Sequence, residues 1–411
     1  MVQCVTAAAS PAPAPPVVSV PLADACCDLL ELLGEVSDGR SDQGRDHPVA
    51  AVLALAAAAT VAGMKGYTAI TGWVADVPAD VLAELYLRAG AAPAGPPSKS
   101  TIWRVLTDAD SVAFDAAIGT WLMNNLLTCA AAPADDTASG KAAGRETVQV
   151  RLDGKTVRGA KDGEGNQLHL LSALAGPPGP NRDAVVVAQA EVSGAKPRES
   201  VVARRLLAEI DLTSKVVTAD ALHTVKATAE LIHASGGEFV FPVKENRRAL
   251  FDALDALAWK DTDITYRHVD KGHGRITTRT IQVLPAPDDL PFPHVNQVFL
   301  IERHVTGTDG TPVSAIAQLG VASPAADQAT PADLAGYVQG QWAIEVLHWL
   351  RDTLYQEDNS KVRTRSGPRV MASLRNLAIG ALRLAGRTDT TEATRWACRH
   401  MTRPFTILGL N

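Results

Sequence analysis

The sequence predicts a mixed α/β protein in which a helical first part precedes a sheet-containing core. Three observations carry this. Apolar residues recur at helical spacing from about Leu22 to Leu127. At Val148 the pattern switches to alternation with a period of two. Beyond Glu199, helix and strand patterns take turns, as they do where a sheet is covered by helices.

Residues 1–21 are Ala- and Pro-rich and read as a disordered tail. They lack a basic start and a continuous apolar run, so they do not read as a signal peptide. The helical domain, 22–130, begins with ADACCDLLELLGEV. An Ala-rich buried helix follows over Val49–Ala62, then short helices over Tyr67–Val74 and Ala79–Leu87, broken by Gly and Pro. Ser98 or Ser100 could cap a single long helix, TIWRVLTDADSVAFDAAIGTWLMNNLL. Residues 131–146 are rich in Ala, Pro, Ser and Gly and read as a linker. In the next run Val148, Val150 and Leu152 share one face, and Gln149, Arg151 and Asp153 the other. Leu168–Leu174 and Val185–Val192 continue as strands, followed by a helix (Glu199–Ile210), a strand (Lys215–Ala219), a helix (Thr224–Ala234) and a strand (Phe239–Val243). Periodicity alone supports an α/β domain over 147–400, and three successive strands followed by this alternation is the order expected of a ribonuclease-H-like, retroviral-integrase-type core. Residues of about 262–320 form a β-rich insertion in it. Helices close the core at Pro331–Glu357 and Val370–Ala385, and 401–411 are left as a C-terminal tail.

The chain of 411 residues is 46% apolar and 20% charged, ordinary for a globular protein with room for two or three domains. Its net charge of −6 does not advertise a polyanion partner, but the distribution does. From Lys361 onward ten Lys/Arg face two acids, a local excess of +8, whereas Met1–Pro48 carries two Arg against seven acids. Five cysteines, odd in number and without a CxxC pair, indicate neither a disulfide framework nor zinc, and fit a reducing cytoplasm. The longest apolar stretch, Val49–Gly63, is too short to span a bilayer. No glycine-rich phosphate loop follows a strand, which argues against a nucleotide-cofactor enzyme.

Three acids stand out. Asp153 ends the first strand pattern, Asp220 follows the apolar run KVVTA, and Glu345 lies within a long helical pattern. A single Asp after a strand is usually a turn residue, and a single helical Glu is usually solvated. Together, the three suggest a site for hard cations such as Mg²⁺, which prefer oxygen ligands. Glu345, His348, Trp349 and Asp352 fall at i, i+3, i+4 and i+7 and share a helix face, with Trp349 read as packing.

The motifs DGKTVRGA, TADALHT, FPVKEN, GHGRI and QWAIEVLHWLRDTLYQEDNSKVR, in that order and followed by MASLRNLAIG, resemble a bacterial insertion-sequence DDE transposase of the ISAs-type family. The helical region around GRDHPVAAVLALAAAATVAG and PSKSTIWRVL resembles that family's transposase-associated domain. The resemblance implies a DDE triad of Asp153, Asp220 and Glu345 holding two Mg²⁺, for which Mn²⁺ would substitute. Asp153 would bridge the ions, with Asp220 and Glu345 each completing one. It implies cleavage at transposon ends and strand transfer into target DNA, with double-stranded DNA and a second copy of the chain as partners. Gln341, Val346 and Arg351 depart from the related signature, as does Glu245 from the usual Gly. His223, His348 and Asp352 are expected behind the triad. Lys155, Lys244 and Asn246 would meet phosphates, as would His273 and Arg275 in the insertion, and Lys361, Arg363, Arg365 and Arg369 after the catalytic helix. Lys99 and Arg104 would face DNA from the helical domain, which is expected to read the terminal inverted repeats. Two rivals remain: a metal-dependent nuclease that cuts without joining, and a retired relative kept as a DNA-binding protein.

Overall fold

The computed structural model describes residues 28–41, 45–131, 147–161, 165–179, 183–193, 199–272 and 274–411. The Ala/Pro tail, nearly all of the expected linker and His273 lie outside them.

Six helices open the described chain: α1 (Leu29–Gly34), α2 (Val49–Val61), α3 (Tyr67–Ala75), α4 (Ala79–Arg88), α5 (Lys99–Asp108) and α6 (Ser111–Ala131). Asp28 caps α1 through Leu30 N–H, and Ser98 caps α5 through Thr101 N–H at 3.2 Å. The single long helix expected from Thr101 is two. Ala109 is extended, and the Asp110 carboxylate accepts from the N–H groups of Val112 and Ala113, which starts α6 afresh. Helix α2 is apolar all round, and every residue from Ala50 to Val61 is buried, as a central helix should be.

Nine strands then form one sheet among the described residues, in the order β3-β2-β1-β4-β5-β9-β8-β7-β6. Strands β1 (Val148–Lys161), β2 (Gln167–Gly176) and β3 (Val185–Glu191) make an antiparallel meander. Helix α7 (Glu199–Ala208) crosses to β4 (Lys215–Thr218), parallel to β1, and α8 (Lys226–Ala234) crosses to β5 (Glu238–Val243), parallel to β4. After α9 (Arg248–Asp255), the insertion is a regular four-stranded meander: β6 (Tyr266–Gly272), β7 (Arg275–Pro285), β8 (Gln297–Gly307) and β9 (Pro312–Ala322). Its last strand pairs with β5, Val240 opposite Ala322, so that β5 is not left as an open edge.

The closing region holds α10 (Pro331–Gly340), α11 (Trp342–Thr353), α12 (Gly367–Leu384), α13 (Thr390–Cys398) and α14 (Arg403–Ile407). A capping box at Thr330 and Asp333 starts α10. The run expected as one helix over Pro331–Glu357 is divided at Gln341 and ends at Thr353, before a left-handed Gln356 and a 3₁₀ turn at Glu357–Asn359. Residues 401–411, expected as a tail, pack instead. Phe405, Leu408 and Leu410 are buried, and Phe405 stacks on Trp73 with ring centres 5.9 Å apart. One continuous apolar core joins the first helices to the sheet. Helix α6 lies on β3 and α12, and α2 lies on α12. Gly119 permits the close approach of α6 to β3, because a Cβ there would strike the backbone of Val187.

Candidate active site

The polar face of β1 organises the site. Gln149 and Arg151 are fully buried on it, and helices α10 and α11 cover them. Gln149 Nε2 donates to Tyr337 O at 2.8 Å and Thr218 Oγ1 at 2.9 Å, and Arg151 Nε donates to Gly340 O at 2.7 Å. Gln341, at the junction of the two helices, donates to Leu152 O at 2.8 Å and accepts from Thr218 Oγ1 at 2.6 Å. These bonds fix the start of α11 across β1 and β4. Gln341 therefore fastens α11 to the sheet.

Asp153 continues the same face two residues beyond Arg151. It does not end its strand: β1 runs on to Lys161 because Gly154–Val157 keep pairing with β2. What stops near Asp153 is β4, whose parallel pairing ends at Arg151 opposite Thr218. Asp220 follows two residues after that point, beyond the end of β4. Asp220 is exposed and begins a tight turn, its Oδ1 accepting from Leu222 N–H at 2.9 Å. Asn246 Nδ2 holds Ala221 O at 2.9 Å, and Arg247 holds Thr224 O at 2.6 Å, so residues just after β5 pin this turn. Glu345, exposed in the first turn of α11, lies one turn beyond Gln341 and one turn before His348 on the helix. His348, one turn further, sets Nδ1 3.4 Å from Asp153 Oδ2, and its Nε2 is buried without a hydrogen-bond partner among the described residues.

Among the described residues, no group of three or more His, Cys, Asp or Glu stands close enough to hold a metal ion. The donor set nonetheless suits Mg²⁺, which keeps several waters and takes one or two carboxylates rather than a closed protein cage. The features that fit are Asp153 with His348 3.4 Å from it, and two buried atoms of α11 that have no hydrogen-bond partner among the described residues, His348 Nε2 and Asp352 Oδ1.

Two family models match in succession. The DDE_Tnp_1-associated model covers residues 30–122, and the "Transposase DDE domain" model covers residues 152–380. The chain belongs to the DDE transposase family. An uncharacterized protein in the dhlA 3′ region of Xanthobacter autotrophicus is 31% identical over 259 residues, 59% of this chain and 76% of that one. The H repeat-associated transposase candidate YhhI of Escherichia coli strain K12 is 24% identical over 370 residues, 86% of this chain and 90% of its own. A piggyBac transposase synaptic complex with hairpin DNA aligns over 93% of this chain and 78% of that one, at 7% identity and a TM-score of 0.41. No helix among the described residues is long and apolar enough to cross a membrane.

Several sequence-selected cations of the transposase have partners within the protein. Lys155 is buried, with Nζ 2.7 Å from Asp352 and 3.5 Å from Asp358, so it braces α11 rather than standing open to phosphate. Arg369 is almost buried against Asp115 of α6 at 2.7 Å, Arg365 pairs with Asp108, and Arg363 donates to Gly159 O at 3.0 Å. Arg351 is fully buried, its guanidinium bonded to Glu357 at 2.9 Å. Lys361, Lys244, Arg275, Lys99 and Arg104 are exposed, as are Arg363 and Arg365 despite their partners. Asn246 is spent on the Asp220 turn. Trp349, expected to pack, is 60% exposed beside Glu345, and Trp342 is 52% exposed with Arg303 5.3 Å over its ring.

Sequence reasoning missed one group that touches the site. Glu199, the first residue of α7, accepts from His223 Nε2 at 3.2 Å on one oxygen and from His169 Nε2 at 3.3 Å on the other. Hydrogen bonds from His169 and His223, stronger than the opposing effect of burial, hold its carboxyl down to about 2. A glutamate opening a helix is so common that nothing in the sequence marked it.

Proposed function

We propose that the chain is the active transposase of an insertion sequence, of the ISAs-type group, with Asp153, Asp220 and Glu345 as its metal-holding catalytic triad. The observation that carries this reading is that Asp153 lies in β1 just past the point where β4 stops pairing with it, that Asp220 follows two residues after the end of β4, and that α11, which bears Glu345, brings His348 to 3.4 Å from Asp153. The strand order β3-β2-β1-β4-β5, with β1, β4 and β5 parallel, supports a ribonuclease-H-like core extended by the β6–β9 meander.

Bound divalent cations would supply activation of the attacking water or 3′-hydroxyl and charge neutralisation at the leaving oxygen. The protein's own part is placement. Gln341 fixes where Glu345 emerges, His348 steadies Asp153, and the Lys155–Asp352 pair holds α11 to β1. DNA at the element ends and in the target would lie along the exposed cations Lys361, Lys244, Arg275, Lys99 and Arg104, with the helical region reading the terminal repeats. Two protomers would pair the two ends.

The test is Mg²⁺-dependent cleavage of DNA carrying the element's ends. Asp153→Asn, Asp220→Asn and Glu345→Gln should each lower the rate by roughly 10²-fold or more, the scale of losing a group that stabilises transition-state charge. Wild-type cleavage by Asp153→Asn would sink the assignment. Joined products with an added target plasmid would mark transposition, and cutting alone would mark a nuclease.

A further inference from the structure

We propose that Glu199 is a positioning residue of this site: braced by His169, its carboxylate holds the His223 imidazole against Asp220 and so sets the pose in which that aspartate meets a divalent cation. The inference rests on the reading of Asp220 as a metal-holding residue.

Four links run from one catalytic strand to the other. Thr156 on β1 meets His169 Nδ1 on β2 at 2.9 Å. His169 Nε2 lies 3.3 Å from Glu199 Oε2, and Glu199 Oε1 lies 3.2 Å from His223 Nε2. His223 Nε2 in turn lies 3.9 Å from Asp220 Oδ1, the oxygen already held by Leu222 N–H. The cluster also touches the other aspartate's neighbour, since a Cβ on Gly154 would fall 2.6 Å from His169 Nε2 and 2.8 Å from Glu199 Oε1. His223 is 1% exposed and its Nδ1 has no hydrogen-bond partner among the described residues, so Glu199 is its fixed point. A proton on Nε2 serves the Glu199 bond at 3.2 Å, and Asp220 Oδ1 at 3.9 Å stands beyond hydrogen-bond reach but within charge contact of the same ring edge. Groups that orient a metal ligand from behind change metal affinity by roughly 10–100-fold when removed. A cluster that only stitched α7 to the sheet would change stability and leave cation affinity alone.

The experiment titrates Mn²⁺ alone into the full-length protein, following free Mn²⁺ by electron paramagnetic resonance, with thermal melting as the folding control. Glu199→Gln, which keeps shape and loses charge, should weaken Mn²⁺ binding by about 10-fold or more. His169→Gln should weaken it less, because Glu199 still reaches His223. In cleavage assays Glu199→Gln should raise the Mn²⁺ needed for half-maximal rate more than it lowers the saturated rate. Unchanged Mn²⁺ affinity in a folded Glu199→Gln protein overturns the proposal, provided that Asp220→Asn abolishes binding. If Asp220→Asn binds Mn²⁺ normally, the triad reading itself fails. Should Glu199→Gln not fold, the ¹⁵N shifts of His223 in the wild type decide: protonation on Nε2 supports the proposal, and protonation on Nδ1 overturns it.

Discussion

Gly154 shows how little freedom the residues around the site have. The side chains that would meet a new Cβ there are those of His169 and Glu199, not backbone, so Gly154→Ala is expected to fold by pushing that pair aside. Its Mn²⁺ affinity should fall in the same direction as that of Glu199→Gln, with a melting point only a few degrees lower, consistent with about 1 kcal/mol of strain. A titration giving wild-type affinity would separate the glycine from the cluster. At this scale the sequence was partly legible. Asp153, Asp220 and Glu345 stood out because each sits in a distinctive local context. Lys155 was misread as open to phosphate because its partner, Asp352, lies 197 residues away, and no local pattern announces such a pair. The exposure of Trp349 was hidden for the same reason, since helical spacing gives a face but not what covers it.

Elements explain why α11 holds its place. Arg351, near its end, shares the buried carboxylate of Glu357 with Arg375 of α12, at 2.9 and 2.8 Å, and all three side chains are within 1% of complete burial. Burial alone would raise the Glu357 carboxyl, but the Arg351 and Arg375 guanidiniums outweigh it and hold it at about 2, below the usual 4.5. A carboxyl depressed on folding stabilises the protein above its unfolded value and loses that contribution as pH falls through the folded one. Glu357→Gln should therefore destabilise by about 3–5 kcal/mol near neutral pH, because it leaves two buried cations uncompensated. Between about 4.5 and about 2 its stability should fall less than that of the wild type. Denaturant melts across that window check both, and an unchanged neutral-pH midpoint would count against the triad of charges. In sequence Arg351 marks only a departure from the related signature, because its partners lie on other elements. Element types and most boundaries were legible from periodicity, but the break at Ala109–Asp110 was not, because Asp110 looks like any polar helix residue until its carboxylate is seen capping α6.

At the level of the whole molecule, the composition break at 131–146 suggested separable parts, yet the described helices before it and the core after it bury one another. Helix α2 has no exposed face and spends its surface on α12 among its neighbours. Helix α6 covers β3, and its Asp115 is bonded to Arg369, Ser373 and Gln189, drawing together α12 and β3. Burial raises the Asp115 carboxyl, opposed by the Arg369 charge, so this contact is satisfied only when both parts are present. A linker's composition reports where the chain is free to cross, not whether the surfaces on either side are complete. Residues 147–411 expressed alone should expose the apolar faces of α12 and β3, bind a hydrophobic dye and melt without a cooperative transition. Supplying residues 28–131 as a second chain should restore cooperative melting. A soluble, cooperatively folded 147–411 fragment would show instead that the helical region is an appendage, and its contribution to DNA recognition could then be measured apart from stability.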